Sequence, residues 1–133
     1  MERVNISSGG EWEAAVGYAR AVRVGPHVAV AGTTAARQGQ APVGGDDIAE
    51  QTREALRRVE SALSQAGATL GDVVRTRIFV TDIGRWREVG LAHGEFFGDI
   101  RPAATMVEVS ALIDPALLVE IEADAITLNW SDH

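Results

Sequence analysis

Between residues 48 and 82 the hydrophobic repeat of this chain changes from helical to extended, which restricts the folds open to it. Ile48, Thr52, Ala55, Leu56, Val59, Leu63 and Ala66 recur at three- and four-residue steps, with Glu50, Arg53, Glu54, Arg57, Arg58 and Glu60 mostly opposite. Such a stripe makes an amphipathic helix with one face for a core. Asp46 or Asp47 is placed to cap its start, and Gly67 to end it in the left-handed conformation. From residue 73, VVRTRIFVTD returns to period two and is rich in β-branched residues, which predicts a strand.

The rest of the chain continues this alternation of element types. ARAVRV (19–24) and HVAVA (27–31) read as two strands joined by a tight turn at Gly25-Pro26. The glycine-containing stretch 32–47 reads as a loop. Asp82 suits the start of a second helix, along which Trp86, Val89, His93, Phe96 and Phe97 form a stripe. Pro102 opens a strand, ATMVEVS. In LVEIEADAI (118–126), Val119, Ile121, Ala123 and Ala125 alternate with Glu120, Glu122 and Asp124. The expected order is β-β-α-β-α-β-β, an α+β fold with helices on one face of a sheet. A length of 133 residues fits one domain over 1–133, with termini 1–10 and 128–133 expected to be flexible.

Composition removes several classes of function. A net charge of −7 argues against nucleic acid and anionic membranes as partners, because both select a basic surface. Without cysteine there is no disulfide, thiolate nucleophile or thiolate-bound metal. Histidines at 27, 93 and 133 form no short-spaced pair, so no metal site is expected. No phosphate-binding glycine loop, dinucleotide fingerprint or nucleophile elbow occurs. The start MERVNISSGGEWEAAVGY is unlike a secretory signal, and no apolar run approaches the roughly 18 residues of a membrane span. A cytoplasmic location is the expectation.

Several stretches together resemble the YjgF/YER057c/UK114 family, also called the Rid or reactive-intermediate-deaminase family. They are GYARAVRVG (17–25), VAVAG (28–32), the helix containing Gln51, AGATLGDVVRTRIFVTD (66–82), EFF (95–97), RPAATMVEV (101–109) and VEIEADAI (119–126). The resemblance implies a chorismate-mutase-like α+β fold, assembled as a homotrimer with small-molecule clefts between subunits. For the best-known branch it also implies cofactor-free hydrolysis of enamines and imines, releasing ammonia.

The resemblance also assigns candidate residues. In the deaminating branch a Pro-Ala-Arg motif supplies the arginine that pairs with the substrate carboxylate, a geometry suited to a guanidinium. Here the motif is Pro102-Ala103-Ala104, so that anchor is missing. Side chains alternate along a strand, placing 102, 104 and 106 on one side and Arg101 on the other. Arg20, two residues beyond Tyr18, is the better substitute, with Arg37 a further candidate; the competing reading is that both are solvated surface residues. Glu120 matches the family glutamate that orients or activates the hydrolytic water, against the alternative of a polar strand face shared with Glu122 and Asp124. Tyr18 matches a cleft tyrosine, or simply packs at a strand entry. Ala31 replaces a common serine, while Gly32 is kept, with Thr33 beside it. Gly90 and His93 stand where asparagine and tyrosine are common; His93 is a candidate acid/base or a packing histidine beside Phe96 and Phe97. Trp86 and Met106 complete the expected substrate-binding set with Gly32, Thr33, Ala104 and Arg20.

Loss of the arginine removes a charge-assisted pair worth roughly 1.5–3 kcal/mol and leaves a more neutral pocket. The expected function is therefore a divergent imine or enamine hydrolase with a Glu120-activated water, weak on small 2-imino carboxylates. The alternative is a non-catalytic trimer that binds a metabolite or a partner protein.

Overall fold

The computed structural model describes residues 1–128; the expected flexibility of the C-terminus at 129–133 lies outside the described residues. Six strands and two long helices follow one another: β1 (Arg3–Ile6), β2 (Ala21–Val24), β3 (His27–Thr33), α1 (Ile48–Gln65), β4 (Val73–Val80), α2 (Trp86–Phe97), β5 (Ala103–Glu108) and β6 (Val119–Ile126). The fold is α+β, but its first strand was not expected. Residues 3–6 pair antiparallel with β2, from Arg3 opposite Val24 to Ile6 opposite Ala21. RVNI is mostly exposed, so no apolar alternation marks it. The observed order is thus β-β-β-α-β-α-β-β.

The sheet runs β1-β2-β3-β6-β4-β5. Among the described residues only β4 and β5 are parallel, joined by the crossover through α2. Gly25, at φ 57°, forms the tight β2–β3 turn with Pro26. Of the two aspartates placed to cap α1, Asp47 does so, its carboxylate accepting from the Glu50 N–H at 3.1 Å. The helix ends at Gly67, at φ 80°. Its stripe is fully covered, with Ile48, Ala55, Leu56, Val59 and Leu63 all at 0% exposure. Truncating one such leucine to alanine costs about 2–5 kcal/mol. The second helix departs from expectation at its start. Asp82 accepts from Gly84 N–H and begins a single 3-10 turn, Ile83–Arg85, before α2. Trp86 is 52% exposed, with the Arg87 guanidinium 5.2 Å from its ring centroid, so it is not part of the packed stripe.

The helices cover one face of the sheet. Val28, Val30, Ile78, Val80, Val119, Ile121, Ala123 and Ala125 pack beneath them. The opposite face carries Glu120, Glu122 and Asp124 from β6 and Arg77 from β4, whose Nη1 donates to Asp124 at 2.9 Å and Glu122 at 3.3 Å. A register shift in β3 between Val30 and Thr33 interrupts its pairing with β6. That irregularity lies at the end of the sheet where the cleft opens.

Candidate active site

Three segments build a cleft of about 660 Å³, lined by Trp12, Val16, Tyr18, Arg20, Ala31, Gly32, Thr34, Ile113 and Glu120. The first is the N-terminal connection. Glu13–Gly17 forms one wide helical turn, closed by the Tyr18 N–H donating to the Glu13 carbonyl at 2.9 Å. The buried Glu13 carboxylate anchors this turn by accepting from the Ser8 N–H at 3.0 Å and from the Ser8 hydroxyl. Those donors, with help from Ser7, hold its pKa down to about 2.

The second segment is the interrupted end of β3. Here Gly32 has a steric task. A Cβ at this position would lie 3.0 Å from Cδ and 3.3 Å from Cγ of Glu120. The missing side chain lets the Glu120 carboxylate lie against the β3 backbone. Arg20 Nη2 donates to the Gly32 carbonyl at 2.7 Å, and its guanidinium carbon stands 5.9 Å from the Tyr18 ring centroid. Arg20 Nε is buried without a hydrogen-bond partner among the described residues. Thr33 is turned away, buried, with its hydroxyl donating to the Ala31 carbonyl at 2.7 Å. Thr34 takes its place in the lining.

The third segment is the loop before β6 with the start of that strand. Gln51, fully buried on α1, donates to the carbonyls of Gly45 (2.7 Å) and Ala116 (3.0 Å) and accepts from Leu118 N–H (3.0 Å). It fixes the chain just ahead of Glu120. Burial raises the Glu120 pKa above the ordinary carboxylate value; nearby Arg20 opposes this and Glu122 adds to it. Among the described residues no group hydrogen-bonds the Glu120 carboxylate. A proton-accepting group of raised affinity thus faces open space beside a cation and a phenol.

The remaining candidates lie elsewhere in the chain. Ala104 pairs with Thr76 and Met106 with Ile78 across the parallel ladder, which places them on the helix-covered side of the sheet. His93 is on that side too, its Nε2 2.9 Å from Thr76 Oγ1 and its ring 4.7 Å from that of Phe97. Burial lowers its pKa. Glu120 pairs with Phe79 and points to the opposite side. Within one chain, then, Tyr18, Arg20, Gly32 and Glu120 come together, while His93, Ala104, Met106 and Trp86 do not join them. Arg37 donates to the Ala41 carbonyl at 2.8 Å in its own loop, and Arg101 is exposed at φ 56°, with Nε 3.4 Å from the Gly98 carbonyl. Among the described residues no group of histidines and carboxylates is arranged to hold a metal ion, and no helix is long and apolar enough to cross a membrane. Trp12, Val16, Thr34 and Ile113 are lining residues that no periodicity marks.

In this α+β domain the backbone at Gly32, where the third strand is interrupted, lies against a carboxylate from the last strand. The family model described as Endoribonuclease L-PSP matches residues 9–127. The solved structure of Rv2704 from Mycobacterium tuberculosis, a member of the YjgF/YER057c/UK114 family, is 66% identical. That match covers 95% of this chain and 100% of that one, with a TM-score of 0.86. A RutC family protein of Pyrococcus abyssi is 33% identical over 81% of this chain and 84% of its own. The 2-iminobutanoate/2-iminopropanoate deaminase of Salmonella typhimurium is 32% identical over 77% and 88%. The chain belongs to the YjgF/YER057c/UK114, or Rid, family.

Proposed function

We propose that this protein hydrolyses an imine, an enamine or a related labile intermediate without a cofactor, using a water activated by Glu120. The observation that carries this reading is the Glu120 carboxylate, half-buried against Gly32 and open to the cleft. Water oxygen bonds to the imine carbon while Glu120 takes one of its protons, and the C=N π pair moves to nitrogen, which takes a proton from solvent water. Collapse of the carbinolamine then expels the amine or ammonia and leaves a carbonyl, with protons passing back through Glu120 and Tyr18. Similarity to a 2-iminobutanoate/2-iminopropanoate deaminase supports this class of reaction. The name of the matching family model suggests RNA instead, but a net charge of −7 counts against a polyanionic substrate.

Ala104 separates this chain from ordinary 2-imino acid deamination, and Arg20 is the cation left beside Glu120. The working assembly in this proposal is a homotrimer with clefts between subunits. Exposed Val24, Val107 and Ile126 on the helix-free face of the sheet supply apolar surface for the interface. A monomer at micromolar concentration in sedimentation would refute that assembly. For the reaction, imines are generated in situ by an oxidase acting on amino acids and on amines lacking a carboxylate. Acceleration that disappears in Glu120→Gln, with preference for uncharged imines, is the expected result. No acceleration on any imine would favour a ligand-binding trimer, the reading to which Ala31 and Ala104 both point.

A further inference from the structure

The cleft around Glu120 has a wall that the proposed chemistry does not use. Trp12 is 63% exposed, Val16 69% and Ile113 97%, and all three line the same cavity as Glu120, Tyr18 and Arg20. They come from opposite ends of the chain, on segments tied down nearby by buried polar anchors. The turn carrying Val16, with Trp12 at its start, is fixed by Glu13 on Ser8. The loop carrying Ile113 is fixed at its far end by Gln51 on Ala116 and Leu118. Large apolar side chains left in water cost stability relative to polar ones, and their convergence around an unpaired carboxylate marks a binding wall.

We infer that the Glu120 cleft selects imines bearing an aromatic or branched apolar substituent, with Trp12, Val16 and Ile113 as the specificity-determining wall. This rests on the hydrolytic reading of the same site and narrows its substrate class. On the single chain the cleft of about 660 Å³ exceeds what a two- or three-carbon imine fills, and a neighbouring subunit would close its open side. The lining offers one cation, Arg20, which also donates through Nη2 to the Gly32 carbonyl, beside three large apolar side chains, so apolar contact supplies a substantial share of the affinity. Removing a side chain that covers such a substituent lowers kcat/KM for it roughly tenfold to a hundredfold, and lowers it by less for small substrates.

The test compares in-situ imines of phenylalanine and leucine with that of alanine, and of phenethylamine with that of ethylamine, on wild type, Trp12→Ala, Ile113→Ala and Glu120→Gln. The expected result is a tenfold or larger preference for the bulky member of each pair, which Trp12→Ala reduces while Glu120→Gln abolishes turnover of all. Equal rates for bulky and small imines, or an equal loss on both in Trp12→Ala, would overturn the inference. A Trp12→Ala chain that loses its assembly in sedimentation would overturn it too, by making the wall a subunit contact. Calorimetric titration with phenylacetamide, a neutral aromatic probe, separates this inference from the reaction. Binding that weakens at least tenfold in Trp12→Ala supports the wall even if no imine is hydrolysed, whereas no binding to wild type overturns it.

Discussion

Glu120 and His93 are both partly buried titratable groups pushed towards their neutral forms, one with its pKa raised and the other with its pKa lowered, and desolvation is the leading cause in each. Their surroundings nevertheless differ in kind. Glu120 faces a cavity, has Arg20 and Tyr18 beside it, and has no hydrogen-bond partner among the described residues. His93 is occupied by the Thr76 hydroxyl and lies tilted against Phe97 beneath the sheet. Burial alone therefore does not make a reactive group; a perturbed proton affinity has to meet an accessible space.

The largest effect that would break this contrast is expected at Glu120. Glu120→Gln should lower kcat/KM for imine hydrolysis by about 10²–10⁴, the usual span for a general base, with thermal stability retained. Next comes Gly32→Ala. The new methyl must push the carboxylate away, so a loss of roughly tenfold to a hundredfold is expected in a chain that folds normally, since Gly32 is not at positive φ. Circular dichroism alongside the assay separates displacement of Glu120 from unfolding.

A smaller change sharpens the role of Arg20. The ionised Glu120 is the active base, so kcat/KM falls as pH drops through its raised pKa. Arg20 opposes that rise, so Arg20→Gln should move the acidic limb of the profile to higher pH. An unmoved limb would mean that the limb belongs to another group. The mildest outcome is expected at the other region. His93→Gln should keep kcat/KM within about threefold, as a side chain engaged in packing and in a hydrogen bond to Thr76 would. Its signature is in stability. His93 has a folded-state pKa below 6.5, so its contribution is present above that value and is lost as pH falls through the depressed folded-state value. Chemical denaturation at several pH values should show wild type losing this increment, and His93→Gln lacking it. A large loss of activity in His93→Gln would instead restore the histidine to the chemistry.

How much was legible in the sequence varies with how local the cause is. The stripe of α1 and a capping aspartate at 46 or 47 could be read directly, because helical spacing and a capping carboxylate act within a few residues; the choice of Asp47 came from the structure. The alternation of β6 was equally plain. β1 was not, since RVNI is an exposed edge strand whose place comes from pairing with β2 rather than from its own pattern. The second helix was read three residues early because Asp82 caps a 3-10 turn with the same chemistry that would cap an α-helix.

The site divides along the same line. Sequence by itself determined the absence of an arginine at 104 and the helical face that covers the sheet, because these follow from residue identity and period, while resemblance to the family put forward Tyr18, Arg20, Gly32 and Glu120 as candidates. Only the tertiary structure decided that Gly32 yields its space to Glu120, that Trp12, Val16 and Ile113 converge on the same cavity, and that Ala104 and His93 lie across the sheet from them. Those relations depend on strand register, on an irregularity in β3 and on loops held by buried Glu13 and Gln51. Contacts between segments about a hundred residues apart in the chain leave no local repeat to read.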